Sequence, residues 1–295
     1  MNGPRGFSAS DAALEGFQAL RRHWRVVLGW AGFNLMAVVA MIVVAVIAIL
    51  AAQVALRGDA SASAAVGGVV GSVGALCIEV CIVAALFRLL LRDDAPGFFY
   101  LRVGSDEGRL LLLWISLAGI LAVAGFLIVG LAALSARAAG WGPAVVGVLG
   151  AAFGAWLFTR LSLSEPITVA ERRFGLVASW RMSRGRFWPL FGMCAIRLGL
   201  LAMVLVLGWL ALYLLMAAGS GFRDFGVLSL SNKDAFTERP LRFLAQLAAE
   251  VAFAPVWLVI AQAPLAAAYK ALSAPVAEAA DPAAYPGPWT APPSA

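Results

Sequence analysis

The sequence predicts an all-α membrane protein, with six transmembrane helices arranged as three helical hairpins and joined by cytoplasmic amphipathic connecting helices. Three observations predict it. Hydrophobic residues make up 62% of the chain and charged residues 13%, whereas soluble domains run near ~45–50% apolar and ~25% charged. The apolar residues fall in six runs, each long enough to supply the about 20 residues that a helix needs to cross a bilayer. The positive charges flank these runs, so the sequence pI of about 9.8 speaks for orientation beside anionic headgroups and not for nucleic acid.

Residues 1–25 read as a cytoplasmic amphipathic segment ending in Arg21, Arg22, His23, Trp24 and Arg25. The first apolar run, 26–56, exceeds the roughly 7–15 residues of a signal-peptide core and reads as an anchor that stays in the membrane. The other runs are 64–91, 110–134, 141–163, 188–216 and 243–272, so that 26–272 forms one six-helix transmembrane domain. Lipid offers no partner to backbone N–H and C=O groups, so each run is expected to be helical. Pro255 and Pro264 are expected to kink the last. Residues 273–295 hold six prolines and lack an apolar stripe, and read as a disordered cytoplasmic tail.

Orientation follows from Lys and Arg. With the N-terminus inside, fifteen fall on the cytoplasmic side and six outside, with Arg197 left within a span; this bias places both termini in the cytoplasm, and Arg in place of Lys with abundant Ala and Gly points to a bacterial inner membrane. Each pair of runs follows a cytoplasmic stretch carrying Phe and Arg, such as Phe17 with Arg21-Arg22, Phe98-Phe99 with Arg102, and Phe174 with Arg181. Either a duplicated hairpin unit or an ordinary row of hairpins produces this pattern. Gly67-x-x-x-Gly71 and Gly150-x-x-x-Gly154 permit close helix contact.

The segment Glu165–Arg184 is expected to form one helix lying in the inner interface, with Ile167, Ala170, Phe174, Val177 and Ala178 as its apolar stripe. Arg172, Arg173, Arg181, Arg184 and Arg186 are candidate lipid-headgroup contacts; orientation alone also accounts for them. The second loop carries Asp93, Asp94, Asp106 and Glu107. A divalent cation is one use for such carboxylates; favourable charges at the start of the third span, balanced by Arg88, Arg92, Arg102 and Arg109, are the simpler one.

Arg160-Leu161-Ser162-Leu163-Ser164-Glu165-Pro166, followed by Ser179-Trp180-Arg181-Met182-Ser183-Arg184-Gly185-Arg186-Phe187-Trp188, resembles a pattern in bacterial six-span integral membrane proteins. It is similar to the membrane domain joined to glycerophosphodiester phosphodiesterases and to its uncharacterised stand-alone relatives. The motif spans about thirty residues, while span number and spacing agree over most of the chain. No phosphodiesterase domain is present, so the resemblance implies membrane residence, as a partner or regulator, and no hydrolytic activity.

Glu79, Arg197 and Glu250 fall inside spans, where a charge costs roughly 2.5–3.5 kcal/mol on insertion scales and is expected to face protein or water. Glu79 and Arg197 lie at similar depth, which makes them a candidate buried ion pair, with Glu250 nearer the outer face. Such a layer serves either to hold helices in register or to pass a proton or solute.

No catalytic, cofactor or metal constellation is legible. His23 is the only histidine and precedes the first span, so an intramembrane Ser–His hydrolase lacks a base. Neither lysine follows a Gly-rich loop. Cys77, Cys81 and Cys194 lie in apolar runs and read as small hydrophobes. The expected function is that of a non-enzymatic membrane protein working through membrane lipids or a membrane protein partner; the alternative is a small transporter or channel using the Arg/Glu layer.

Overall fold

A computed structural model describes residues 9–92, 98–102, 104–138, 140–219 and 240–273. Every regular element among the described residues is helical. In chain order they are α1 (Ala9–Arg22), α2 (Trp24–Ala55), α3 (Ala60–Leu91), α4 (Ser105–Ala138), α5 (Gly142–Leu161), α6 (Ser164–Ala170), α7 (Leu176–Met182), α8 (Phe187–Gly219) and α9 (Pro240–Ser273). Six stretches are long and apolar enough to cross a membrane: α2, α3, α4, α8, α9, and a run from Gly142 to Ala170 that joins α5 to α6. These match the six apolar runs of the sequence. Residues 274–295, and most of the connection before α9, lie outside the described residues.

Local chemistry sets the ends. Asp59 accepts hydrogen bonds from the backbone of Ser61 and Ala62, which caps α3. At α4 the Glu107 carboxylate reaches back to the Gly104 N–H at 2.9 Å, satisfying a donor that the helix leaves free. Gly142 is followed by Pro143 within the first turn of α5.

α2 packs along α3, α4 along α5, and α9 against α8, α2 and α3. Glycines make two of these contacts close. A side chain at Gly67 of α3 would collide with Ile49 of α2, and one at Gly150 of α5 would meet Ile128 of α4 at 2.7 Å. The first glycine of each GxxxG segment thus serves contact within the chain, while Gly71 and Gly154 face open space.

Packing is uneven along the bundle. The well-buried residues gather at one end, where α2, α4 and α8 begin and α3, α5 and α9 finish. One cluster joins Trp30, Ile82, Phe87, Leu110, Leu113 and Val259; a second joins Ala12, Leu163, Ile167, Leu190, Met193 and Leu265. α1, α6 and α7 close this end, which also holds Arg88, Arg92, Arg160 and Arg181 of α7. Farther along the helices large apolar side chains face outward: Val54 is 84% exposed, Phe126 80% and Val148 70%. A soluble protein rarely shows such a surface; acyl chains solvate it.

The expected single amphipathic helix over 165–184 is replaced by two short helices. Arg172 takes a left-handed φ of 53° and breaks the run. Gly175 then returns so close to α6 that a Cβ would strike the Ser164 carbonyl, and its N–H is held by Thr168 Oγ1 at 3.1 Å. The apolar stripe is split as a result: Ile167 is fully buried inside the bundle, while Phe174 and Val177 face outward.

Candidate functional site

A pocket of about 420 Å³ lies between α4, α5, α6 and α8, with Leu76 of α3 and Leu265 of α9 at its margins. Its volume is that of small-molecule sites, roughly 300–1,000 Å³. Most of the wall is apolar, including Leu117, Ala118, Leu157 and Leu161. The polar groups facing it are Ser162, Glu165, Arg197 and the indole of Trp114. At the rim, Ile115, Leu121 and Phe158 are also exposed on the outer surface of α4 and α5.

Each polar group has a structural reason for its position. Arg197 stands ten residues after Phe187 on α8, about 15 Å along the helix at ~1.5 Å per residue. Its residue exposure is 8%, and its Nε and Nη1 have no hydrogen-bond partner. Glu165 is carried on the first turn of α6. It is half-buried, with Oε2 buried and also without a partner. Ser162 donates to the Thr159 carbonyl at 2.9 Å, which keeps its hydroxyl at the turn between α5 and α6. Trp114 and Gln262 turn their polar ends toward the Glu165 carboxyl, yet Trp114 Nε1 and Gln262 Oε1 remain unpaired. An unpaired buried donor or acceptor costs about 1–3 kcal/mol, and more when it is charged. Four such atoms, Trp114 Nε1, Glu165 Oε2, and Arg197 Nε and Nη1, belong to residues that line this one pocket.

The carboxylate that lines the pocket with Arg197 is Glu165; Glu79 does not line it. Among the described residues no ion pair joins Arg197 to Glu79, although the Glu79 charge does act on Glu165. The expectation of an Arg197–Glu79 pair rested on equal depth in two long spans. α6 adds a third charged residue, Glu165, to the pocket that Arg197 lines. Glu250 is remote from this layer: it accepts from Gln246 Nε2 at 3.0 Å and lines a smaller cavity with Trp209 and Phe253.

The arginine-rich segment divides into exposed and engaged groups. Arg172, Arg173, Arg181, Arg184 and Arg186 are all exposed, and Arg173 pairs with Glu171. Arg160 is engaged. Its guanidinium lies 5.8 Å from the Trp156 ring and 5.6 Å from the Trp180 ring, two cation–π contacts onto rings that meet edge to face. Its Nη1 donates to Ser183 Oγ at 3.3 Å, while Ser179 Oγ donates to the Arg160 carbonyl at 2.8 Å. The Ser-Trp-x-x-Ser stretch thus fastens α7 to the end of α5.

The second loop is likewise an ion-pair cluster. Arg88 contacts Glu107 at 2.5 Å and Asp106 at 3.4 Å; Arg92 and Arg109 reach Asp106 at 2.9 and 3.0 Å. Asp106 and Glu107 are therefore committed to arginines, as the helix-electrostatics reading expects. Asp93 and Asp94 lie outside the described residues. Arg88 also donates to the Tyr100 carbonyl at 3.2 Å and Trp30 to the Phe99 carbonyl at 2.9 Å. These bonds hold two consecutive residues at left-handed φ values of 48° and 61°.

Sequence reasoning found Arg197 by the cost of its charge. It missed Glu165, Trp114, Ser162 and Gln262. The available signal was the continuation of apolar residues Ile167 to Ala170 beyond Pro166, which carries the fourth span past Glu165. No protein-family model, curated protein or solved structure matches this chain.

Proposed function

We propose that this chain is a non-enzymatic integral membrane protein that works through lipid contact, taking a lipid molecule into the pocket between α4, α5, α6 and α8. The observation behind this reading is Arg197, a buried cation with two unpaired donors in an otherwise apolar wall. Apolar walls suit an acyl chain, and the rim residues Ile115, Leu121 and Phe158 lie on the face that meets lipid. In the same reading the six spans form three hairpins in a bacterial inner membrane with both termini cytoplasmic. The exposed Arg172, Arg173, Arg181, Arg184 and Arg186 then lie beside anionic headgroups. The resemblance to membrane domains joined to glycerophosphodiester phosphodiesterases agrees with such a role, as a partner or regulator at the bilayer.

Native mass spectrometry of the detergent-purified chain tests it. A retained lipid is expected on the parent protein and not on Ala118→Trp, which fills the pocket. Loss of all lipid from the parent under mild activation, or equal retention by both, would count against the proposal. The second reading, a small transporter, draws on Glu165 lying within the influence of both Arg197 of α8 and Glu79 of α3. Solute or proton flux in proteoliposomes, abolished by Arg197→Gln, would favour it.

A further inference from the structure

The pocket also carries information about the head of its ligand, and this step rests on the lipid reading just given. We propose that the pocket selects an amphiphile with an uncharged, hydroxyl-bearing head over lipids with an anionic or cationic head.

The argument starts from charge balance. The two ionisable residues of opposite sign that line the pocket are Arg197 and Glu165. Both line the pocket without closing an ion pair, and each keeps buried atoms with no hydrogen-bond partner: Nε and Nη1 of Arg197, Oε2 of Glu165. Their sum is neutral while Glu165 is ionised. Glu79 acts on Glu165 from α3 but does not line the pocket. An anionic head would bond to Arg197 and be repelled by Glu165; a cationic head meets the converse. Adding a net charge to a site walled by leucine and phenylalanine is strongly unfavourable. Two sets of unmet hydrogen-bonding needs remain, one for an acceptor opposite Arg197 and one for a donor opposite Glu165. A hydroxyl supplies both from a single oxygen: a lone pair to the guanidinium and its proton to the carboxylate. Trp114 Nε1 offers a second donor to the same oxygen. An apolar tail then occupies the wall formed by Leu117, Ala118, Leu157 and Leu161.

The test uses three single-chain probes with one tail: hexadecanol, hexadecyl phosphate and hexadecyltrimethylammonium. Each is titrated into the full chain in detergent, with radiolabelled hexadecanol as the competed ligand. Saturable hexadecanol binding is expected, at least about tenfold tighter than either ion, a factor worth about 1.4 kcal/mol. Glu165→Gln leaves an unbalanced cation and is expected to reverse the order in favour of the phosphate. Arg197→Gln is expected to shift preference toward the ammonium probe. Glu250→Gln, in the separate cavity, leaves all three affinities unchanged. If Arg197→Gln fails to fold, Glu165→Gln still carries the test. Preferential binding of hexadecyl phosphate by the parent, unaffected by Glu165→Gln, overturns the inference about the head while the lipid pocket stands. Absence of saturable binding for all three probes overturns the lipid pocket as well.

Discussion

The α-carbon of Ile260 in α9 faces Gly16 of α1 so closely that a Cβ on Gly16 would lie 2.8 Å from it. α1 is therefore docked backbone to backbone, with Ala12, Ala13 and Ala19 buried on the same face. Gly16→Val is expected to expel α1 from its seat at a cost of about 1–3 kcal/mol, the range for overpacking a tight contact. Faster proteolysis within α1, with α2–α9 intact, is the sign to look for; unchanged cleavage would show that α1 has room to shift.

Trp30 and Arg88 together hold the Phe99 and Tyr100 carbonyls of a turn whose bulky residues take positive φ. Such conformations persist where the surroundings fix them. Trp30→Phe keeps most of the buried ring but removes the donor, and about 1–3 kcal/mol of stability is expected to go with it. Amide exchange at residues 98–102 is expected to quicken while the middle of α3 stays protected.

Arg88 and Glu107 are both nearly inaccessible, with side-chain exposures of 4% and 7%. Removing one partner from a buried pair leaves the other uncompensated and costs about 3–5 kcal/mol. Arg88→Met is therefore expected to be much more damaging alone than in combination with Glu107→Leu. A double-mutant cycle read by denaturant unfolding in micelles measures this, and additive losses would mean that Asp106 alone carries Arg88.

Asp59 is fully exposed, but hydrogen bonds from the Ala62 backbone, then from the Ser61 side chain and backbone, hold its carboxyl below the usual carboxylate range. A lowered folded value means that the cap contributes stability above the ordinary Asp pKa of about 3.9 and loses it as pH falls through the lower folded value. Exchange at the first turn of α3 is expected to accelerate only in that acidic window, and the window is expected to vanish in Asp59→Asn. Carboxyl titration of Asp59 by NMR at or above the ordinary value would contradict this.

Coupling between Arg197 and Glu165 is expected to exceed coupling between Arg197 and Glu79, because Glu165 lines the pocket with Arg197 and Glu79 does not. Two double-mutant cycles, with Glu165→Gln and with Glu79→Gln, compare them directly. Stronger coupling to Glu79 than to Glu165 would restore the direct pairing expected from helix depth.

The contrast between these two carboxylates shows where the sequence is readable. Spans such as α2 and α8 were legible because an apolar run of that length has one solution in lipid. Arg197 was legible because its charge is expensive there. Glu165 was not, because Ser164-Glu165-Pro166 has the local form of a helix start at a membrane surface. Its burial is decided by the return of Gly175 onto α6, a tertiary contact that no periodicity announces. Phe174 and Val177 were placed on the stripe of Ile167 for the same reason: the 3.6-residue pattern runs unbroken through Arg172, and the backbone does not.

The brevity of α6 gives its two charges unequal mechanical footing. Arg197 is mounted on a rod of 33 residues. Glu165 rides on seven residues slung between the turn at Ser162 and the left-handed Arg172. The softer mount yields first when something pushes the charges apart, and α6 is tied through Thr168 and Gly175 to α7. A displacement of α6 would therefore be passed to α7, which carries the exposed Arg181.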